Sequence, residues 1–388
     1  MELLGLAGGA TSSFLIAAIS FLFILTIVVF IHELGHFLVG RWCGVGVTAF
    51  SIGFGPELIG WNDRHGTRWK ISAIPLGGYV KFAGDVNGAS VPDPDTLARM
   101  TAAERAVSFH HKSVPKRAAI VAAGPIANFI LAIAVFAGVI YVNGRYVVAP
   151  RINAVHAGSA AERAGFQPGD LVVSINGRSI TGFADMQRII SSSAGDTLAI
   201  AVERGGQPVT LQAVPDTKET QTPFGKQRIG LLGLEGSRDP ADVKLMTYGL
   251  LESLRLGVTE TWYVVERTID YIGKLLVGRE SADQVSGPLG IAIVSGTVAS
   301  IGGLNGLISL IAVLSVSIGL INLFPIPLLD GGHLLFYAIE AVRGRPLSDR
   351  AQEIGFRIGL AIVVMLMLFA TWNDVMHRIL PTLLPRGT

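Results

Sequence analysis

The chain has 388 residues, of which 50% are hydrophobic and only 15% charged, with a net charge of +2 and a mean hydropathy of +0.52. Soluble globular proteins carry about a quarter charged residues, so this composition excludes an ordinary soluble enzyme and points to a polytopic membrane protein in contact with the lipid bilayer. Lys and Arg are spread along the chain, which gives no case for a nucleic-acid partner, and the one cysteine, Cys43, excludes an internal disulfide and reads as a small buried hydrophobe.

A bilayer core about 30 Å thick takes roughly 20 apolar residues in helix. Residues 11–37 meet that length. No basic residue precedes the run and no small-residue cleavage site closes it, which argues against a signal peptide. The run continues into His32-Glu33-Leu34-Gly35-His36. Residues four apart share a helix face, so both imidazoles can reach one Zn²⁺, and Glu33 stands beside them to take a proton from water. Ionisable groups at the end of an apolar span are costly and mark function by default. The bland reading is an interfacial polar cap, but such caps favour Lys, Trp and Tyr.

A second span covers 118–142. Residues 146–234 then read as a soluble module: a strand at 147–155, a short helix at 158–165, and a turn at Pro168-Gly169-Asp170. A strand at 171–175 ends in an Asn176-Gly177 turn, a helix covers 184–193, and a hairpin joins 198–204 to 209–214 through Gly205-Gly206. Leu251, Leu254, Val258, Trp262, Val265, Ile269, Ile272 and Leu276 mark one apolar helix face, fit to pack on the bundle or to lie on the membrane surface. The stretch 288–325 is apolar but rich in Gly and Ser, and its helix is expected at 304–323. A fourth, short span covers 358–372.

Between the last two spans lies Asn322-Leu323-Phe324-Pro325-Ile326-Pro327-Leu328-Leu329-Asp330-Gly331-Gly332-His333. Prolines and glycines break helix there, and broken backbone at membrane depth is tolerated only inside protein or along a wet cavity. Catalytic zinc usually has three protein ligands. Asp330 and His333 both stand as candidates for the third. The first loop carries Arg41, Arg64, Arg68, Lys70, Lys81, Arg99, Arg105, Lys112, Lys116 and Arg117, and the last carries Arg343, Arg345 and Arg350. The positive-inside rule makes both cytoplasmic, with both termini and the module outside.

Together the His-Glu-Leu-Gly-His motif, the Leu328-Leu329-Asp330-Gly331-Gly332 cluster and a module between spans two and three resemble the site-2 protease family of intramembrane zinc metalloproteases. Pro75-Leu76-Gly77-Gly78-Tyr79-Val80-Lys81, Gly124-Pro125-Ile126-Ala127-Asn128 and Ser286-Gly287-Pro288-Leu289-Gly290-Ile291-Ala292 are similar to its bacterial regulator of sigma-E protease branch. The run 158–177 resembles a PDZ domain of the bacterial protease type, a module that binds extended peptides by strand addition or acts only as a steric gate.

The resemblance implies four transmembrane helices, a hairpin over 67–82 dipping into the membrane, and an inserted extracytoplasmic PDZ-like α+β domain. The expected division is 1–145 and 286–388 for the membrane domain, 146–236 for the PDZ-like domain and 237–285 for a helical linker. It also implies Asp330 as third ligand in preference to His333, and Asn322 and Asn128 at the substrate backbone or the developing oxyanion. Gly77, Gly78 and Tyr79 would hold an unwound substrate as an added strand. The expected activity is hydrolysis of peptide bonds within membrane segments, in the bacterial inner membrane. Its substrates would be single-span proteins already trimmed outside, such as an anti-sigma factor or a signal-peptide remnant. The best-known members of the branch have two tandem PDZ domains, whereas this chain shows one. The alternative is a non-catalytic membrane scaffold presenting a peptide-binding module. A transporter would show a pair of repeated broken helices, and none is apparent.

Overall fold

The computed structural model describes residues 2–85, 99–222, 225–237, 239–282 and 285–380. The chain divides into two compact units, one of Met1–Phe136, Gly257–Glu266 and Ser286–Thr388, the other of Ala137–Leu256 and Arg267–Val285.

The first unit is built on long apolar helices: α1 (Glu2–Trp42), α3 (Val114–Asn143), α7 (Pro288–Asn322) and α9 (Asp349–Asp374), with the short α2 (Ala102–Val107) before α3. Four stretches, Phe14–Trp42, Val114–Asn143, Pro288–Asn322 and Arg350–Ile379, are long and apolar enough to cross a membrane. The four expected spans fall within them or overlap them, so this is a multi-pass membrane protein.

The third stretch is not one rod. Gly303 takes φ 55° and ψ −144°, outside the helical region and open only to glycine. A Cβ at Gly306 would lie 3.0 Å from the carbonyl oxygen of Val298. In a straight helix eight residues span about 12 Å. Val294 and Leu310 also share one buried cluster with Ile24 and Val28 of α1. The chain therefore reverses at Gly303, and the arm 304–322 is the span the sequence placed at 304–323.

Strands β1 (Val47–Asn62) and β2 (Arg68–Phe82) follow α1 and correct the expected hairpin over 67–82. That segment is a single bent strand, and its partner is 47–62. The turn lies at 63–67, where Asp63 accepts hydrogen bonds from the amides of His65 (2.8 Å) and Thr67 (2.9 Å). Burial pushes the Asp63 carboxyl up, but those two amides, the Trp69 indole and Arg41 outweigh it and hold it down at about 2. Phe50 pairs with both Val80 and Trp69, and Ile52 with both Gly78 and Ile71. The two strands thus fold into four segments, with 78–82 at one edge beside 47–52, then 68–72, then 57–62. Phe37, Phe50, Phe82, Phe109 and Ile120 form the core beneath them.

In the second unit, β3 (Arg145–Val148) and β4 (Ile152–Val155) occupy the stretch expected as one strand, 147–155. Pro150 and the two pairings, β3 with β12 (Val243–Met246) and β4 with β11 (Leu234–Gly236), separate them. After the short α4 (Ala160–Arg163), a four-stranded sheet runs β6 (Arg178–Ser179), β5 (Leu171–Ile175), β7 (Leu198–Arg204), β8 (Gln207–Ala213). Helix α5 (Phe183–Ser192) covers it, and Val172, Ile175, Met186, Ile190, Ile200 and Val202 fill the core. Buried Asp170 is paired by Arg204 at 2.7 and 2.8 Å. The hairpin of β9 (Asp216–Thr222) and β10 (Gly225–Leu231) was not expected, because its polar sequence carries no apolar alternation.

Helix α6 (Leu250–Leu276) buries Ser253, Gly257, Thr261 and Val265, a stripe of mostly small residues. Most of the apolar stripe read from the sequence, including Leu251, Val258, Trp262, Ile269 and Leu276, is exposed.

Candidate metal centre and active site

The last turns of α1 carry His32 and His36 on one face, as their spacing requires. Helix α8 (Asp330–Arg343) begins with Asp330 and is tied back to α3 by Arg117, which binds Glu340 at 2.6 Å and lies 4.8 Å over the Tyr337 ring. Before it, Leu328 adopts φ 105°, strained for a side chain of that size. At Gly331 and Gly332 the carbonyls of Leu323, Phe324 and Ile326 come too close to admit a Cβ. These features let the loop fold tightly under α8 and turn Asp330 toward α1.

His32 Nε2 and His36 Nε2 lie 3.2 Å apart, Asp330 Oδ2 lies 3.2 Å from the first and Asp330 Oδ1 3.6 Å from the second. A tetrahedral zinc with bonds near 2.0–2.1 Å holds its donors about 3.3 Å apart. Asp330 Oδ2 is buried and accepts no hydrogen bond within the protein, although His32 is so near. The ligand atoms of the three groups all lie within 4.8 Å of one another. The residues present therefore fit a zinc ion, and among the described residues they form the one His/Cys/Asp/Glu group close enough to hold a metal.

His333 is not in that group. Its ring packs 5.4 Å from Phe356, and it lines the cavity of about 190 Å³ that the three metal-facing groups open into, together with Glu33, Val80, Phe82, Asn322 and Leu328. Glu33 shares the cavity wall with Val80, and a Cβ at Gly78 would come within 3.2 Å of its side chain. Of the strand residues named from the sequence, Gly78 thus touches Glu33. Gly77 lies against the Phe54 ring, and Tyr79 stacks on Phe54 and beneath Lys70. Val80 and Phe82, not singled out in the sequence, form the strand's wall of the cavity. Asn322, the last residue of α7, lines it as well, whereas Asn128 is fully buried behind His32.

One face of α3 backs both imidazoles. The Ile120 carbonyl accepts from His36 Nδ1 at 2.9 Å, and Asn128 stands 3.2 Å from His32 Nδ1. Between them Gly124 leaves room, since a Cβ there would collide with His36 and lie 2.9 Å from His32 Cε1. Its signal in the sequence was only a glycine inside an apolar helix. Gly124→Ala should raise intrinsic helix propensity by about 1 kcal/mol yet weaken zinc binding roughly tenfold or more. Chelator competition and thermal unfolding, run on the same preparation, check both halves.

The model of peptidase family M50 matches residues 20–366. The chain belongs to peptidase family M50. Two relatives bear the name "Putative zinc metalloprotease". One, from Rhizobium meliloti, is 50% identical over 357 residues, 92% of this chain and 95% of that protein. The other, from Brucella suis, is 50% identical over 375 residues, 96% and 99% of the two chains. Metalloprotease MmpA of Caulobacter vibrioides is 44% identical over 384 residues, 93% and 96%. This M50 member is an enzyme, a zinc metalloprotease, and the scaffold alternative falls away.

Proposed function

We propose that this M50 peptidase cuts peptide bonds within the transmembrane segments of other proteins, in the manner of the sigma-E regulator branch of site-2 proteases. The observation that carries the reading is depth. His32, Glu33 and His36 lie inside the apolar stretch Phe14–Trp42, and Asp330 comes to them from the first turn of α8, which lies in sequence between two further apolar helices. His32, His36 and Asp330 would hold a zinc ion, which would supply Lewis acidity toward a carbonyl and a water. Glu33, in the same cavity, is placed to accept a proton from a water there and to deliver it to the leaving nitrogen. Asn322 presents an amide donor in the same cavity, suited to the substrate backbone or its developing oxyanion. The edge segment 78–82, with Val80 and Phe82 on the cavity wall, offers a free strand edge for an unwound substrate. The test is a single-span protein, trimmed outside, mixed with the purified enzyme. Cleavage within its apolar segment, stopped by a zinc chelator, is expected. Cleavage only outside the apolar segment would refute the intramembrane reading.

The orientation follows from the basic loops: termini and PDZ-like module outside, in a bacterial inner membrane. Ser348→Cys should label only from the cytoplasm and Asn176→Cys only from outside. Labelling of Asn176→Cys from the cytoplasm would reverse the assignment.

Within this proposal the module screens substrates by size rather than capturing peptides. Gly230 of β10 abuts the Ile190 carbonyl of α5, and a Cβ at Gly236 of β11 would meet the Phe183 ring at 2.8 Å. That closeness favours a packed module over an open peptide groove beside α5. Deleting residues 148–234 should therefore let untrimmed substrates be cut. Loss of all cleavage with zinc still bound would make the module a docking site instead.

A further inference from the structure

We propose that Asn128 is a positioning residue for the metal centre, acting through His32 rather than on substrate. A histidine that gives Nε2 to a metal carries its proton on Nδ1, and that proton needs an acceptor to fix the ring. His36 has one in the Ile120 carbonyl, 2.9 Å away. For His32 the neighbour is the Asn128 amide, with Nδ2 at 3.2 Å from Nδ1 and Oδ1 buried without a partner. A half-turn about the Asn128 Cβ–Cγ bond exchanges the two atoms. Oδ1 then accepts the His32 Nδ1 proton, which resolves the orphaned oxygen and commits Nε2 to the metal.

The rest of the residue is arranged to hold that amide still. Asn128 is 0% exposed, which leaves no path for a substrate carbonyl to reach it. Its main-chain carbonyl accepts a hydrogen bond from Ser315 Oγ at 2.8 Å, and Gly319 allows α7 to close on it, since a Cβ there would come 3.2 Å from Asn128 Cβ. Helix α3 thus presents a carbonyl at 120, a gap at 124 and an amide at 128, one turn apart, as a rigid back wall for two metal-facing imidazoles.

The test uses the full-length enzyme in detergent with zinc affinity as the first readout, measured by competition with a chromophoric chelator. Asn128→Ala is expected to lose roughly 10–100-fold in affinity, the range for removing a partner behind a metal-bound histidine. Asn128→Asp, of the same shape and an acceptor at either oxygen, is expected to recover most of it. With zinc saturating, KM should be unchanged in both. Should Asn128→Ala fail to fold, Asn128→Ser keeps a polar group in the helix but is too short to reach the ring, and the same loss is expected. Wild-type zinc affinity with kcat reduced at saturating zinc would overturn the proposal and return Asn128 to the oxyanion. Equal losses in Asn128→Ala and Asn128→Asp would also overturn it, by reducing Asn128 to helix packing.

Discussion

Glu33→Gln is expected to give a folded enzyme that binds zinc as the parent does and cleaves about 10²–10⁴-fold more slowly, the usual worth of a positioned general base. The amide has the size of the carboxylate and fits the same space beside Gly78 and Val80, so the strand beside the cavity stays in place. Only the ability to accept a proton is lost. Glu33 is not among the three groups that converge on the metal position, so zinc content should not change. Zinc analysis and single-turnover cleavage on one preparation decide the matter. Undiminished cleavage by Glu33→Gln would remove Glu33 from the reaction.

Asp330→Asn should lose far more zinc affinity than the roughly 10–100-fold that a supporting partner costs, and cleavage should fall with it. His333→Ala should cost little zinc. The two residues are one helical turn apart, and from sequence either could serve. In the structure Asp330 places one oxygen 3.2 Å from His32 Nε2 and the other 3.6 Å from His36 Nε2, whereas His333 is packed against Phe356. A carboxylate also offsets part of the zinc charge where little water is present. Side-by-side zinc content and cleavage for the two variants test this. Full loading of Asp330→Asn with loss in His333→Ala would reverse the assignment.

Several readings rest on interactions near in sequence, and those were legible from the residues alone. The His-Glu-x-x-His spacing puts two imidazoles on one face because the helix repeats every 3.6 residues. Long apolar runs announce spans because lipid cannot hydrogen-bond a backbone. Asn176-Gly177 and Gly205-Gly206 announce hairpin turns because the turn needs positive φ, which the structure shows at all four residues. The bent sheet was not legible as such. Whether 67–82 pairs with itself or with 47–62 depends on a partner strand and on the Asp63 turn, and strand period is the same in either case.

The residues alone therefore specified a multi-pass membrane protein with a histidine pair and a glutamate at the end of its first span, and a β-rich insertion between the second and third. Tertiary structure decided which of Asp330 and His333 faces those histidines. It also showed that α7 reverses at Gly303, that Val80 and Phe82 wall the cavity, and that Ile120, Gly124 and Asn128 back the imidazoles. The reason is the same in each case. A side chain's direction is fixed by its own helix or strand, but what it meets is fixed by the approach of another element. Here that approach is set by glycines and strained residues, Gly124, Leu328, Gly331 and Gly332, whose effect is visible only once the neighbouring backbone is in place.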